Sequence, residues 1–70
     1  MFYFFNRGSD YLRCEIREAA QGNGYEVVVT EPGKPERIES FATSDEAHAY
    51  WMRLQQDLLR DGWWGPHGRD

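Results

Sequence analysis

Polar and apolar residues follow two different rhythms along this chain. From Leu12 the pattern has a period of two: Leu12, Cys14 and Ile16 alternate with Arg13, Glu15 and Arg17. That spacing puts the two sets on opposite faces of a strand. Tyr25 to Thr30 is β-branched and aromatic, a second strand signal. From Ala47 the period changes. Ala47, Trp51, Leu54 and Leu58 recur every three or four residues, which predicts an amphipathic helix with one apolar stripe. Tyr50 flanks that stripe on one side, and His48, Gln55 and Leu59 flank it on the other. Glu46, Arg53, Gln56, Asp57 and Arg60 form the polar face.

Punctuation agrees with these rhythms. Thr43-Ser44-Asp45-Glu46 reads as a capping box with Thr43 as N-cap. Asp45 and Glu46 suit the positive end of the helix dipole. Gly62 is placed to end the helix in a left-handed conformation, with Trp63 packing back on Leu58. Ala20-Gln21-Gly22-Asn23-Gly24 and Pro32-Gly33-Lys34-Pro35 are turn signals. They separate the strands and leave Arg37 to Ala42 as the next one. Phe2 to Phe5, followed by Asn6-Arg7-Gly8-Ser9, suggests a first strand. The expected fold is α+β: a three- to four-stranded antiparallel meander, order 1-2-3-4, with one C-terminal helix on one face. Residues 1–64 form the expected single domain, and 65–70 are expected as a disordered tail.

Turn length sets the register. With Pro32-Gly33-Lys34-Pro35 as the whole loop, Val29 faces Ile38 and Val27 faces Ser40. Arg17 then lies beside Glu26 as a cross-strand ion pair. On this register Phe41 has the wrong parity for the core. Either it lies on the outer face with Val28 and Tyr11, or a β-bulge before the helix turns it inward.

Size narrows the functional classes. Seventy residues make one small domain of marginal stability. The single cysteine, Cys14, excludes an internal disulfide, and with only His48 and His67 a structural zinc site is not expected. No cofactor is expected. A partner chain, including a second copy, is one way to add stability. Eight basic against twelve acidic residues give a net charge of −4, which argues against non-specific nucleic-acid or membrane binding. The apolar start, Met1 to Phe5, is too short for a secretory signal, and no stretch is long and apolar enough to span a membrane. The lone thiol fits a reducing compartment, so a cytoplasmic location is expected.

The candidate chemistry is thin. Cys14 faces the core and has no neighbouring base in the sequence. His48 sits on the helix flank three residues after Asp45. Asp57 and Asp61 share a helix edge as solvated carboxylates. Gly22-Asn23-Gly24 lacks the strand–loop–helix context of a phosphate loop. An enzyme is not expected. The aromatic residues left without a core role are more informative. Trp63 and Trp64 either both close the core, or Trp64 stays exposed to a partner. The expected interaction surface is Tyr11, Val28, Phe41 and Trp64. Arg13, Arg17 and Arg37 interleave with Tyr11 and Phe41 as in single-strand binders, but Glu15, Glu26 and Glu39 share that face on this register and oppose the charge.

The sheet followed by Thr43-Ser44-Asp45-Glu46-Ala47 and Asp61-Gly62-Trp63-Trp64 resembles small uncharacterised bacterial proteins of the structural-genomics kind. That resemblance implies a fold and no activity. The ββββα outline is also similar to plant Whirly and transcriptional-coactivator single-strand binders, from which this chain departs in being acidic. The leading expectation is a non-enzymatic protein-interaction module, homodimeric through the outer sheet face or an edge strand. The alternative is a weak single-stranded nucleic-acid binder using the outer face.

Overall fold

The computed structural model describes residues 1–20 and 22–69. Five strands and one helix follow in the order β1 (Phe2–Arg7), β2 (Asp10–Glu18), β3 (Tyr25–Thr30), β4 (Arg37–Phe41), α1 (Ser44–Arg60) and β5 (Trp64–Arg69). They form one antiparallel sheet in the order β4-β3-β2-β1-β5. The expected meander is therefore present, but the helix is not C-terminal. It carries the chain from one edge of the sheet to the other, where a fifth strand returns against β1. The ββββα outline shared with the Whirly-type proteins is lost with that strand.

Helix α1 obeys its local signals at both ends. The Thr43 Oγ1 accepts from the Glu46 N–H at 3.2 Å, and the Glu46 carboxylate accepts from the Thr43 N–H at 3.2 Å. At the other end Gly62 has φ +93°, which glycine adopts without a Cβ clash. Its N–H donates to the Leu59 carbonyl at 3.1 Å, and the Trp63 N–H donates to Leu58 at 3.0 Å. These two bonds make a Schellman motif. Between the caps, Ala47, Trp51, Leu54 and Leu58 are all buried, as their spacing predicts.

The stripe packs on the inner faces of Phe5, Leu12, Cys14, Val27 and Val29, and Trp63 closes one end. Tyr3 stacks on Trp51 with ring centroids 4.5 Å apart, and Phe5 meets the same indole edge-on at 6.0 Å. The turn after β2 is tied by the Ala19 N–H to Gly24 carbonyl bond at 3.0 Å; Gln21 lies outside the described residues. The pair Arg17 and Glu26 is opposed in the ladder, with Nε to Oε1 at 2.9 Å.

Two expectations fail. In β4 the register is one residue away from the expected one: Val28 faces Ile38 and Val27 faces Glu39. The turn starts at Glu31, whose carbonyl accepts from the Lys34 N–H at 3.3 Å. Its carboxylate also reaches Lys34 at 3.3 Å and Arg37 at 3.8 Å. With Val29 paired to Arg37 the connection is odd rather than even in length, and that one-residue change exchanges the two faces of β4. Phe41 therefore points to the helix side, its ring 5.2 Å from Tyr50, without needing a bulge. Ile38 takes the outer face and is 47% exposed.

The other failure is the tail. Trp64–Arg69 is β5, not a disordered segment; Asp70 lies outside the described residues. Trp-Gly-Pro-His-Gly-Arg has no alternation, and its proline and glycines read as strand breakers. An edge strand tolerates Pro66 because only one side needs hydrogen bonds. Gly65 is required there: a Cβ would come within 2.7 Å of the Phe4 carbonyl oxygen and 2.8 Å of the Phe5 ring. The β1–β5 register shifts between Phe4 and Asn6, next to this close approach.

Candidate functional site

Side chains of opposite parity to the core lie on the outer sheet face, over which no second layer packs among the described residues. The ladder registers arrange them in rows across the strands. Tyr11 pairs with Asn6, and Asn6 pairs with Trp64. In the next row Thr30 pairs with Arg13, Arg13 with Phe4, and Phe4 with His67. Further along, Ile38, Val28, Glu15 and Phe2 form a third row.

The expected interaction residues divide on this face. Tyr11 is 70% and Trp64 is 72% exposed. They flank Asn6 in one row, so strands about 4.8 Å apart set them roughly 10 Å from each other. Val28 is on the outer face but only 2% exposed, because Glu15 and Ile38 stand directly beside it in the ladder. Phe41 is on the other face and half-buried. These two leave the candidate surface. Phe4, Asn6 and His67 join it; in the sequence Asn6 belongs to a turn signal and His67 to the expected tail.

Asn6 is held in place. Its Oδ1 lies 3.1 Å from the His67 Nε2, and the tautomer with its proton on Nε2 donates to it there. Beside them Arg13 lies over the Phe2 ring, 5.7 Å from its centroid. A shallow open depression of about 360 Å³ runs past Phe4, Tyr11, Arg13 and Thr30 to Glu31 and Pro32.

The outer-face charges are not evenly spread. Arg17 is bound to Glu26 at 2.9 Å and to Glu15 at 3.4 Å, and the Glu26 hydrogen bond holds its guanidinium in the charged form. Arg37 has inner-face parity and pairs with Glu31. The three arginines therefore do not line one face: Arg37 leaves it, and Arg17 is held by carboxylates as the mixed-sign reading expects. Arg13 makes no ion pair among the described residues and keeps its charge beside the exposed rings.

Other candidates hold less. Burial pushes the Cys14 thiol up to about 12, which removes the thiolate that nucleophilic chemistry needs. A second depression of about 360 Å³ is lined by Ile16, Tyr25, Ser44, Asp45, Ala47 and His48. Both Asp45 and His48 are exposed in it. Asp57 is paired with Arg60 on the helix surface at 3.4 Å. Among the described residues no group of three or more His, Cys, Asp or Glu could hold a metal ion, and no helix is long and apolar enough to cross a membrane. Comparison with protein families, with curated proteins and with solved structures gives no match.

Proposed function

We propose that this chain works by binding rather than by catalysis, through the corner of the outer sheet face formed by Tyr11, Asn6, Trp64, Phe4, His67 and Arg13. One observation carries the reading: two aromatic side chains, 70% and 72% exposed, flank a fixed amide on a bare sheet face. Exposed rings cost solubility and gain nothing from the core they do not touch, so their place is explained by contact with something else.

An edge-strand partner is the weaker form of the interaction reading. Arg37 and Glu39 sit on the inner-face parity of edge strand β4, and inward charges discourage strand addition. At the opposite edge Pro66 offers no N–H. The free surface is the face, not the edges.

The test does not need a known partner. Tyr11→Thr and Trp64→Thr keep β-propensity and remove the rings. If the rings serve binding, each change shifts folding stability by less than about 0.5 kcal/mol, as for ordinary surface sites. A loss above about 1.5 kcal/mol for either in urea denaturation would mean that the rings are packing groups, and the reading would fall.

A further inference from the structure

The binding reading leaves the occupant open, and the chemistry of the corner narrows it. We infer that the occupant is a short single strand of nucleic acid, its bases stacked on Tyr11 and Trp64 and its backbone drawn to Arg13. This rests on the proposed binding role of the same corner.

Three features favour a strand with flat bases and anionic links over a second copy or another protein. The first is ring geometry. Tyr11 and Trp64 stand roughly 10 Å apart across three strands, with Phe4 between them in the adjacent row. Such a platform accepts any base by its π-face.

The second is local charge. The net charge of −4 belongs to the whole chain, and its carboxylates lie mostly elsewhere. Within the outer-face ladder of β1 to β4 the charges of Arg13 and Arg17 balance those of Glu15 and Glu26, and both carboxylates are drawn to Arg17 rather than to Arg13. Glu31, at the rim of the depression, is engaged by Lys34 and Arg37. That leaves Arg13, beside the rings, without a contact ion pair among the described residues. A phosphate complements it, whereas a second copy would bring another Arg13 to the same place.

The third is the amide. Asn6, between the two exposed rings, is tied to His67 through its Oδ1. An amide fixed in this way can donate to the acceptors on a base edge.

The experiment is a titration of the intact chain with single-stranded oligonucleotides of about eight nucleotides, DNA and RNA, at about 20 mM salt. Trp64 emission and backbone amide shifts are read together; Trp51 and Trp63 are buried and serve as silent controls. The expected result is quenching with shifts at Phe4, Asn6, Tyr11 and Trp64. Tyr11→Thr and Trp64→Thr should each weaken binding about tenfold. Arg13→Gln should lower the salt slope by about 0.7.

No change at millimolar oligonucleotide overturns the inference. Binding that the two ring variants leave unaffected also overturns it, as does equal binding of heparin, a polyanion without stacking rings. Shifts in the same residues on simple concentration of the free chain, with a dimer in sedimentation, would assign the corner to a second copy and overturn it as well. If the ring variants leave stability unchanged and yet no oligonucleotide binds, the binding role stands and its ligand class is wrong. If they unfold the chain, both readings fall together.

Discussion

The Arg7 guanidinium lies 4.4 Å from the centroid of the Trp63 ring. From the same position it donates to the Asp61 carbonyl at 3.1 Å. One side chain thus joins the end of β1 to the cap of α1, across 54 residues of sequence. Cation–π contact and a hydrogen bond from a charged donor, both partly wet, together stabilise by about 1–2 kcal/mol. Arg7→Ala should lose that amount in urea denaturation. Arg7→Lys should recover less than half, because an ammonium cannot lie flat on the indole and bond the carbonyl at once. Full recovery by lysine would reduce the contact to simple charge.

The register of β4 predicts an asymmetry between two neighbours. Phe41 packs on Tyr50 and the core, so Phe41→Ala should cost about 2 kcal/mol. Ile38 is 47% exposed on the outer face, and Ile38→Thr should cost less than about 0.5 kcal/mol. Denaturation of the two variants distinguishes the observed register from one shifted by a residue, which would reverse the order.

Cys14 predicts a pH dependence. Burial raises its pKa from 9.0 to about 12, so the folded chain keeps the proton that the unfolded chain releases. Stability is therefore fully present below about pH 9 and falls as pH rises toward 12, by up to roughly 1.4 kcal/mol per pH unit. Cys14→Ala should flatten that slope in chemical denaturation at a series of alkaline pH values, at the cost of lower stability overall. A native thiol that reacts with an aromatic disulfide reagent as fast as in urea would contradict the burial.

Gly65 predicts the fate of β5. An alanine Cβ would meet the Phe4 carbonyl oxygen at 2.7 Å and the Phe5 ring at 2.8 Å. Gly65→Ala should release β5 from β1, seen as lost amide protection along Phe2–Arg7 with the helix protection kept. Because Asn6 would then lose His67, oligonucleotide binding should fall as well. Unchanged protection of β1 would show that the close approach relaxes without cost.

The helix was legible because its information is local. Thr43 and Glu46 are three residues apart, Gly62 follows directly on the last turn, and the stripe repeats every three to four residues. The inner face of β2 and β3 was legible for the same reason, and so was the Arg17–Glu26 pair once the turn between them was placed. The site was only half legible. Tyr11 and Trp64 stand out as aromatics without a core role. Asn6 and His67 carry no such signal, since they meet only through β1–β5 pairing across 61 residues.

The sequence by itself determined the α+β class, the bounds of α1 and the face that α1 buries, because periodicity and caps act within a turn or two of the chain. The tertiary structure decided the rest. It chose a connection of odd length between β3 and β4, with Glu31 anchored by Lys34 and Arg37, and so sent Phe41 to the core and Ile38 to water. It also made a strand of a segment with glycine and proline in it, because the edge of β1 supplies the hydrogen bonds that the segment's own composition does not call for. The exposed corner of Tyr11, Asn6 and Trp64 exists only through that pairing.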